Sequence, residues 1–238
     1  MIVLIGIVLV VIIGLVIMIK QTNIIDKLTL KQTVISSQVI PIRNSVQNCI
    51  ELISKDAIKL IGIQGGRIST IRAYDTGVSL VSYGYYNNQN TLPSLREITG
   101  EINLYIKTFL PYCLKDDYFP EFNIDRKEVI SKNFIREGVI EIEIRYPLVA
   151  EKDGITYQLN VAYNYNLQVN LLDIHKTATE IIEKIEENSD YIELSYLTNL
   201  NYDVTILPTE ENIFIYSITD KIGLEGNPYT FMFAVNPK

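Results

Sequence analysis

The first 19 residues, MIVLIGIVLVVIIGLVIMI, contain no polar or charged side chain, and Lys20 carries the first charged side chain. As a helix such a run measures roughly 28 Å, against about 30 Å for the hydrocarbon core of a bilayer. None of its side chains can transfer a proton or hold a polar ligand, so its work is to leave water. A cleavable signal peptide would need a basic n-region, a shorter apolar core and a small-x-small cleavage site. Here the n-region is missing, and QTNIIDKLTL follows with no Ala-x-Ala. A single-span anchor, or an apolar stem continuing into a soluble domain, fits better. Lys20, Lys27 and Lys31 follow the span, which by the positive-inside rule favours a cytoplasmic domain. Two cysteines, Tyr-rich and Asn-rich strands and a net charge of -7 point the other way. The expectation is a domain outside the membrane, with a basic leader ahead of Met1 removed or left out.

Boundaries follow from the pattern: 1–19 as transmembrane or stem helix, 20–42 as a polar connector able to continue that helix, and 43–238 as an extracytoplasmic domain. The last stretch holds about 200 residues, enough for one large domain or two small ones, and a hydrophobic content of 47% supports a real core. With 21 basic against 28 acidic residues the chain is a poor match for nucleic acid. A lone His175 and two cysteines cannot assemble a His/Cys zinc site. Phosphate-loop, dinucleotide, nucleophile-elbow, zinc-protease and EF-hand motifs do not occur. No catalytic residue, metal ligand or cofactor is expected, and the chain does not read as an enzyme.

Within the domain, Val46, Cys49, Ile50, Ile53, Ala57, Leu60 and Ile61 recur at helical spacing over 42–61, with Gln47, Glu51, Lys55 and Lys59 outward. Gly62 is placed to end that helix. Gly62, Gly65 and Gly66 then make GIQGGRI the most unusual loop in the chain. It is either a ligand-cradling or subunit-contact loop, or a helix C-cap running into a turn; the cap is favoured, because the helix needs one. SYGYYNNQNTLP (82–93) offers Tyr83, Tyr85, Tyr86, Asn87 and Asn88 as a candidate contact loop, since tyrosine gives contact area at low entropy cost. It equally suits a loop packed on its own domain.

Ser94 and Glu97 make a capping box after Pro93. The helix they open places Leu95, Ile98, Ile102, Tyr105, Ile106 and Phe109 on one face, with Pro111 at its end. Cys49 and Cys113 then lie on or beside helices. In an oxidising compartment they would form a disulfide closing about 64 residues; two buried thiols are the other reading.

From Val139 the period changes to 2. Ile140, Ile142, Ile144, Tyr146 and Leu148 alternate with polar residues, Lys152-Asp-Gly154 marks a hairpin, and 157–169 alternates more strictly. The Asn/Gln side of that ribbon reads as a solvated face. A helix follows over 171–187, with His175 beside its apolar stripe as a boundary residue. Short strands are expected near 191–197, 202–207, 213–218 and 229–235, with 220–228 as the turn between the last two. The fold class expected is α+β, an N-terminal transmembrane or stem helix followed by one domain of helices packed on an antiparallel sheet.

Four segments carry a resemblance: the apolar stem, VQNCIELISKDAIKLIGIQGGRI, INLYIKTFLPYCL and IFIYSITD…GNPYTFMFAV. In these the chain resembles uncharacterised membrane-anchored, type IV pilin-like surface proteins of small-genome archaea, which carry prepilin-type (class III) signals. The resemblance implies a membrane-anchored cell-surface structural protein, as a filament subunit or as a monomeric adhesion module. It implies a membrane contact through 1–19, self-assembly through the stem, and a surface protein or glycan as partner. The chain departs from the pattern in lacking a basic leader, a Glu within 1–19 and any N-x-[ST] sequon.

Overall fold

The computed structural model describes residues 37–69, 72–187, 194–209 and 212–237. The expected stem 1–19, most of the connector 20–42, and 188–193 lie outside the described residues. Contacts divide the chain between Ile40 and Pro41, and the second part carries the α+β fold. Among the described residues no helix is long and apolar enough to cross a membrane.

The first long element is α1 (Ile40–Ile63), with Pro41 in its opening turn, where a missing N–H costs nothing. Ile42, Val46, Ile50, Ala57, Ile58 and Ile61 are fully buried along it. Gly62 does not end the helix. It lies within the last turn because the helix crosses the strand that carries Thr230 there: a Cβ at Gly62 would stand 2.3 Å from the Thr230 carbonyl oxygen. The chain then leaves the helix through a Schellman turn. Gly66 N–H donates to the Ile61 carbonyl at 2.7 Å, Gly65 N–H to the Gly62 carbonyl at 3.4 Å, and Gly65 has φ 72°.

The main sheet is mixed rather than purely antiparallel. Its strands are β1 (Ala73–Asp75), β2 (Leu80–Tyr86), β3 (Gln89–Asn90), β10 (Asp203–Pro208), β11 (Phe214–Leu224) and β12 (Asn227–Val235). The order is β1-β2-β12-β11-β10, with β3 also on β2. The β2–β12 pair is parallel, with Ala234 opposite Tyr83, and every other pair is antiparallel. Tyr229, Phe231 and Phe233 of β12 are buried, and the Phe233 ring stacks on Tyr216 at 5.2 Å. The turn joining β11 to β12 is tighter than the expected 220–228: Glu225 and Gly226, at φ 48° and 82°, form a two-residue connection.

Helix α2 (Leu95–Cys113) opens on the expected capping box and buries Ile98, Ile102, Ile106 and Leu110. Phe109 is exposed instead, and Pro111 lies inside the helix rather than at its end. The α2 helix packs on one strand of the second sheet system, which is a ribbon broken in the middle. Strands β6 (Val139–Arg145) and β9 (Ala162–Gln168) pair with β5 (Ile130–Arg136) beside them. Strands β7 (Leu148–Lys152) and β8 (Ile155–Leu159) pair with β4 (Asn123–Arg126). Arg145 faces Ala162 and Leu148 faces Leu159, so the register runs through the break unchanged. The two strands expected from alternation are therefore four. Pro147 has no N–H to give to a ladder, and it interrupts the first of them. Asn133 Nδ2 donates to the Thr99 carbonyl at 3.0 Å, tying β5 to α2.

Helix α3 (Leu171–Glu187) occupies the expected span. Residues 194–198, expected in a strand, form a short helix, α4 (Leu194–Thr198). Tyr196 there donates from its hydroxyl to Glu180 and has Lys184 over its ring. Those contacts to α3 decide the segment against its β propensity.

Candidate functional site

The loop after α1 and the β1–β2–β3 edge of the main sheet line an open pocket at the expected contact residues. It measures about 320 Å³ and is lined by Arg67, Arg72, Tyr83, Tyr86 and Thr91. Arg67 follows directly on the Schellman turn. Its guanidinium meets Glu97 Oε1 at 3.1 Å. Glu101, one turn further along α2, accepts the Ile68 and Ser69 N–H groups at 3.2 and 3.1 Å. Two carboxylates at i and i+4 thus pin the loop that carries Arg67 to the first turns of α2.

Glu97 is itself oriented by the helix cap. The Ser94 backbone N–H and hydroxyl, and after them the Arg67 guanidinium, hold its carboxyl below the ordinary carboxylate range. Arg72 stands just ahead of β1 with its guanidinium 5.9 Å from the centre of the Tyr86 ring, within cation–π reach. The Tyr83 and Tyr86 rings are 4.8 Å apart at 49°. Thr91 closes the wall by donating from Oγ1 to the Tyr83 carbonyl at 2.7 Å and from N–H to the Gly84 carbonyl at 2.8 Å.

The five residues of the expected contact loop separate into three roles. Tyr83 and Tyr86 line the pocket and are half-buried. Tyr85 is only 4% exposed and packs in the sheet opposite Val235, so it has no surface to offer a partner. Asn87 and Asn88, at φ 52° and 57°, are the two central residues of the β2–β3 turn, where asparagine tolerates the left-handed conformation. Among the expected glycines, Gly62 permits the helix–sheet approach, while Gly65 and Gly66 shape the cap. The C-cap reading of GIQGGRI describes them.

Cys49 and Cys113 form a disulfide, with Cα atoms 5.8 Å apart, between α1 and the last residue of α2. A second fixing point lies on the ribbon side of α1. Lys55 Nζ contacts Glu51 at 2.7 Å and Glu225 at 2.8 Å, and the Tyr165 hydroxyl donates to Glu225 at 2.9 Å. The Lys55 hydrogen bond holds the Glu225 carboxyl below its ordinary value. His175 is engaged too, with Nε2 2.7 Å from the Pro93 carbonyl oxygen. Burial lowers its pKa despite that bond. Among the described residues no group of three or more His, Cys, Asp or Glu is placed to hold a metal.

Sequence reasoning does not single out Arg67, Arg72 or Thr91. Arg67 and Thr91 carry a weak signal, since they lie within GIQGGRI and the 82–93 loop; Arg72 carries none. The chain matches no family model, no curated protein and no solved structure.

Proposed function

We propose that the protein is a membrane-anchored cell-surface structural protein, pilin-like in plan, whose α+β domain is displayed outside the cell. The observation that carries the reading is the Cys49–Cys113 disulfide in a chain whose first 19 residues are uniformly apolar. Disulfides persist in oxidising compartments, and an apolar run of that length belongs in lipid or in an assembled core. In such a protein the stem anchors the subunit in the membrane or joins its neighbours in a filament, and the domain needs no cofactor.

Cryo-electron microscopy of material sheared from the cell surface tests the filament. Filaments whose density accommodates the α+β domain are expected, and recovery only as a detergent-bound monomer overturns that part. Protease added to intact cells tests the display. The domain should be degraded before lysis, and protection until lysis overturns an outside location.

The pocket favours a second reading, a monomeric anchored binding module. Replacing Tyr86 by alanine should abolish capture of a surface partner while thermal stability stays within a few degrees; Tyr83 packs against Val81, Ile213, Ile215 and Ala234 and is left in place. Unaltered capture refutes it.

A further inference from the structure

We propose that the pocket formed by Arg67, Arg72, Tyr83, Tyr86 and Thr91 binds one carboxylated sugar ring, a hexuronate. The carboxylate meets Arg72 and the ring lies against the tyrosines. Three observations converge on that chemistry.

The first is charge. The molecule as a whole carries -7, which repels polyanions, yet two guanidiniums line this one cavity. Arg67 is already paired with Glu97 at 3.1 Å. Arg72 forms no ion pair with any described residue, and its contact is the Tyr86 ring at 5.9 Å. At 5.9 Å from the ring centre the guanidinium keeps its N–H fork for another group, and that fork matches a carboxylate in bidentate fashion. A neutral sugar would leave the fork of this exposed guanidinium to water.

The second is shape. At about 320 Å³ the pocket stands at the low end of ligand cavities, roughly 300–1,000 Å³. That volume admits one ring with its substituent and excludes a folded peptide. The tyrosine rings, tilted 49° against each other, make an angled wall. A chair-shaped pyranose with C–H groups on its face conforms to such a wall, whereas a flat aromatic acid contacts one ring at a time.

The third is preorganisation. Thr91 fixes the Tyr83 backbone, Glu97 and Glu101 fix the Arg67 loop, and the β1–β2 pairing of Ala73 with Ser82 places Arg72 beside the tyrosines. Little ordering remains for a ligand to impose.

The test uses the full chain in detergent, titrated with glucuronate and galacturonate and followed by saturation-transfer NMR and calorimetry. Glucose serves as the neutral control and 4-hydroxybenzoate as the flat one. Binding of at least one hexuronate, weakened by added salt and stronger than that of either control, is expected. Arg72→Gln should weaken it about tenfold or more, the loss of one charge-assisted contact. Arg72→Lys should retain part of the affinity, and Tyr86→Phe should retain most of it while Tyr86→Ala does not. A tetrasaccharide ending in the same uronate tells the source: stronger binding of the monosaccharide assigns a free acid, and equal or stronger binding of the tetrasaccharide assigns a chain terminus. The absence of any hexuronate binding up to about 10 mM, where an affinity of roughly 1 mM would register, overturns the proposal. So does binding that Arg72→Gln leaves unchanged, or a preference for glucose or for the aromatic acid. Surface display and filament assembly are read separately, so either conclusion can fail alone.

Discussion

Replacing Cys49 and Cys113 together by alanine should lower the midpoint of thermal unfolding by on the order of 10 °C. The bond closes a loop of 64 residues. On the chain-entropy argument, cross-linking a loop of that size removes about 14 cal/mol/K from the unfolded chain, or about 4 kcal/mol at 25 °C. Natural domains have about 5–15 kcal/mol of stability, so the bond is a large share of the margin. For a domain of this size each kcal/mol moves the midpoint by about 2–4 °C. The folded state should change little, because Ile98, Ile102, Ile106 and Leu110 of α2 are all fully buried and hold the helix in place without the bond. The assay is differential scanning calorimetry with far-UV circular dichroism, on the wild type with and without reductant and on the double variant. Reduced wild type and variant should melt together, and the variant should ignore reductant. A shift below about 2 °C would refute the loop-entropy reasoning. Loss of helical signal in the variant before melting would refute it differently, by showing that the bond holds the native helices together.

Gly62→Ala places a methyl against the Thr230 carbonyl oxygen and the Tyr229 ring, 2.3 and 3.0 Å from the ideal Cβ. It should cost about 1–3 kcal/mol, read from denaturant midpoints; a neutral result would mean that α1 can move off β12 freely. His175 is the single histidine, so its ring signals titrate without overlap, and the midpoint should fall below the ordinary value of 6.5 because burial disfavours the charged form. With the folded pKa lowered, the unfolded chain takes up its proton first. Stability is then lost as pH falls from about 6.5 toward the folded value, a loss that His175→Gln should remove. Ser94→Ala removes the α2 cap and should cost about 1 kcal/mol at pH 7. Glu97 is the partner in that cap and its folded pKa is depressed, first by the Ser94 backbone N–H and then by the Ser94 hydroxyl. The hydroxyl's share is complete above the unfolded value near 4.5 and lost as pH falls through the folded one, so the gap between wild type and variant should narrow in acid melts while the part from the Glu97 N–H bond to Ser94 Oγ persists.

Local chemistry is largely readable from the chain. The α2 capping box, the α3 span, the hairpin at Asp153 and Gly154, and the helix cap at Gly65 each depend on residues within a few positions of one another. What periodicity does not carry is pairing across distance. The alternation through Val139 to Leu148 looks continuous because side-chain direction keeps its period on both sides of Pro147, while the ladder does not. The mixed sheet follows from β2 and β12 meeting in parallel, a contact between segments about 150 residues apart that leaves no mark in either segment. Residues 194–198 read as a strand in sequence because Tyr196 and Thr198 favour one, and the packing of Tyr196 and Leu197 settles the segment instead. The pocket is half legible. Its tyrosines stand out as an aromatic cluster, but Arg72 reaches them only through the β1–β2 pairing, and the buried Tyr85 between them looks no different in sequence.

The place of β12 between β2 and β11 has a consequence for the order of assembly. Until residue 235 has left the ribosome or the translocation channel, the main sheet is two separate pieces. The segment around β2 and the β10–β11 pair are then divided by a gap one strand wide. Cys49 and Cys113 are both available long before that, so oxidation can join α1 to α2 while the sheet is still open. The closing event is insertion of a strand of high sequence separation from its parallel neighbour, the kind of step that dominates slow folding. During that interval the facing edges of β2 and β11 are bare, and the growing chain must keep them from pairing with those of the next copy.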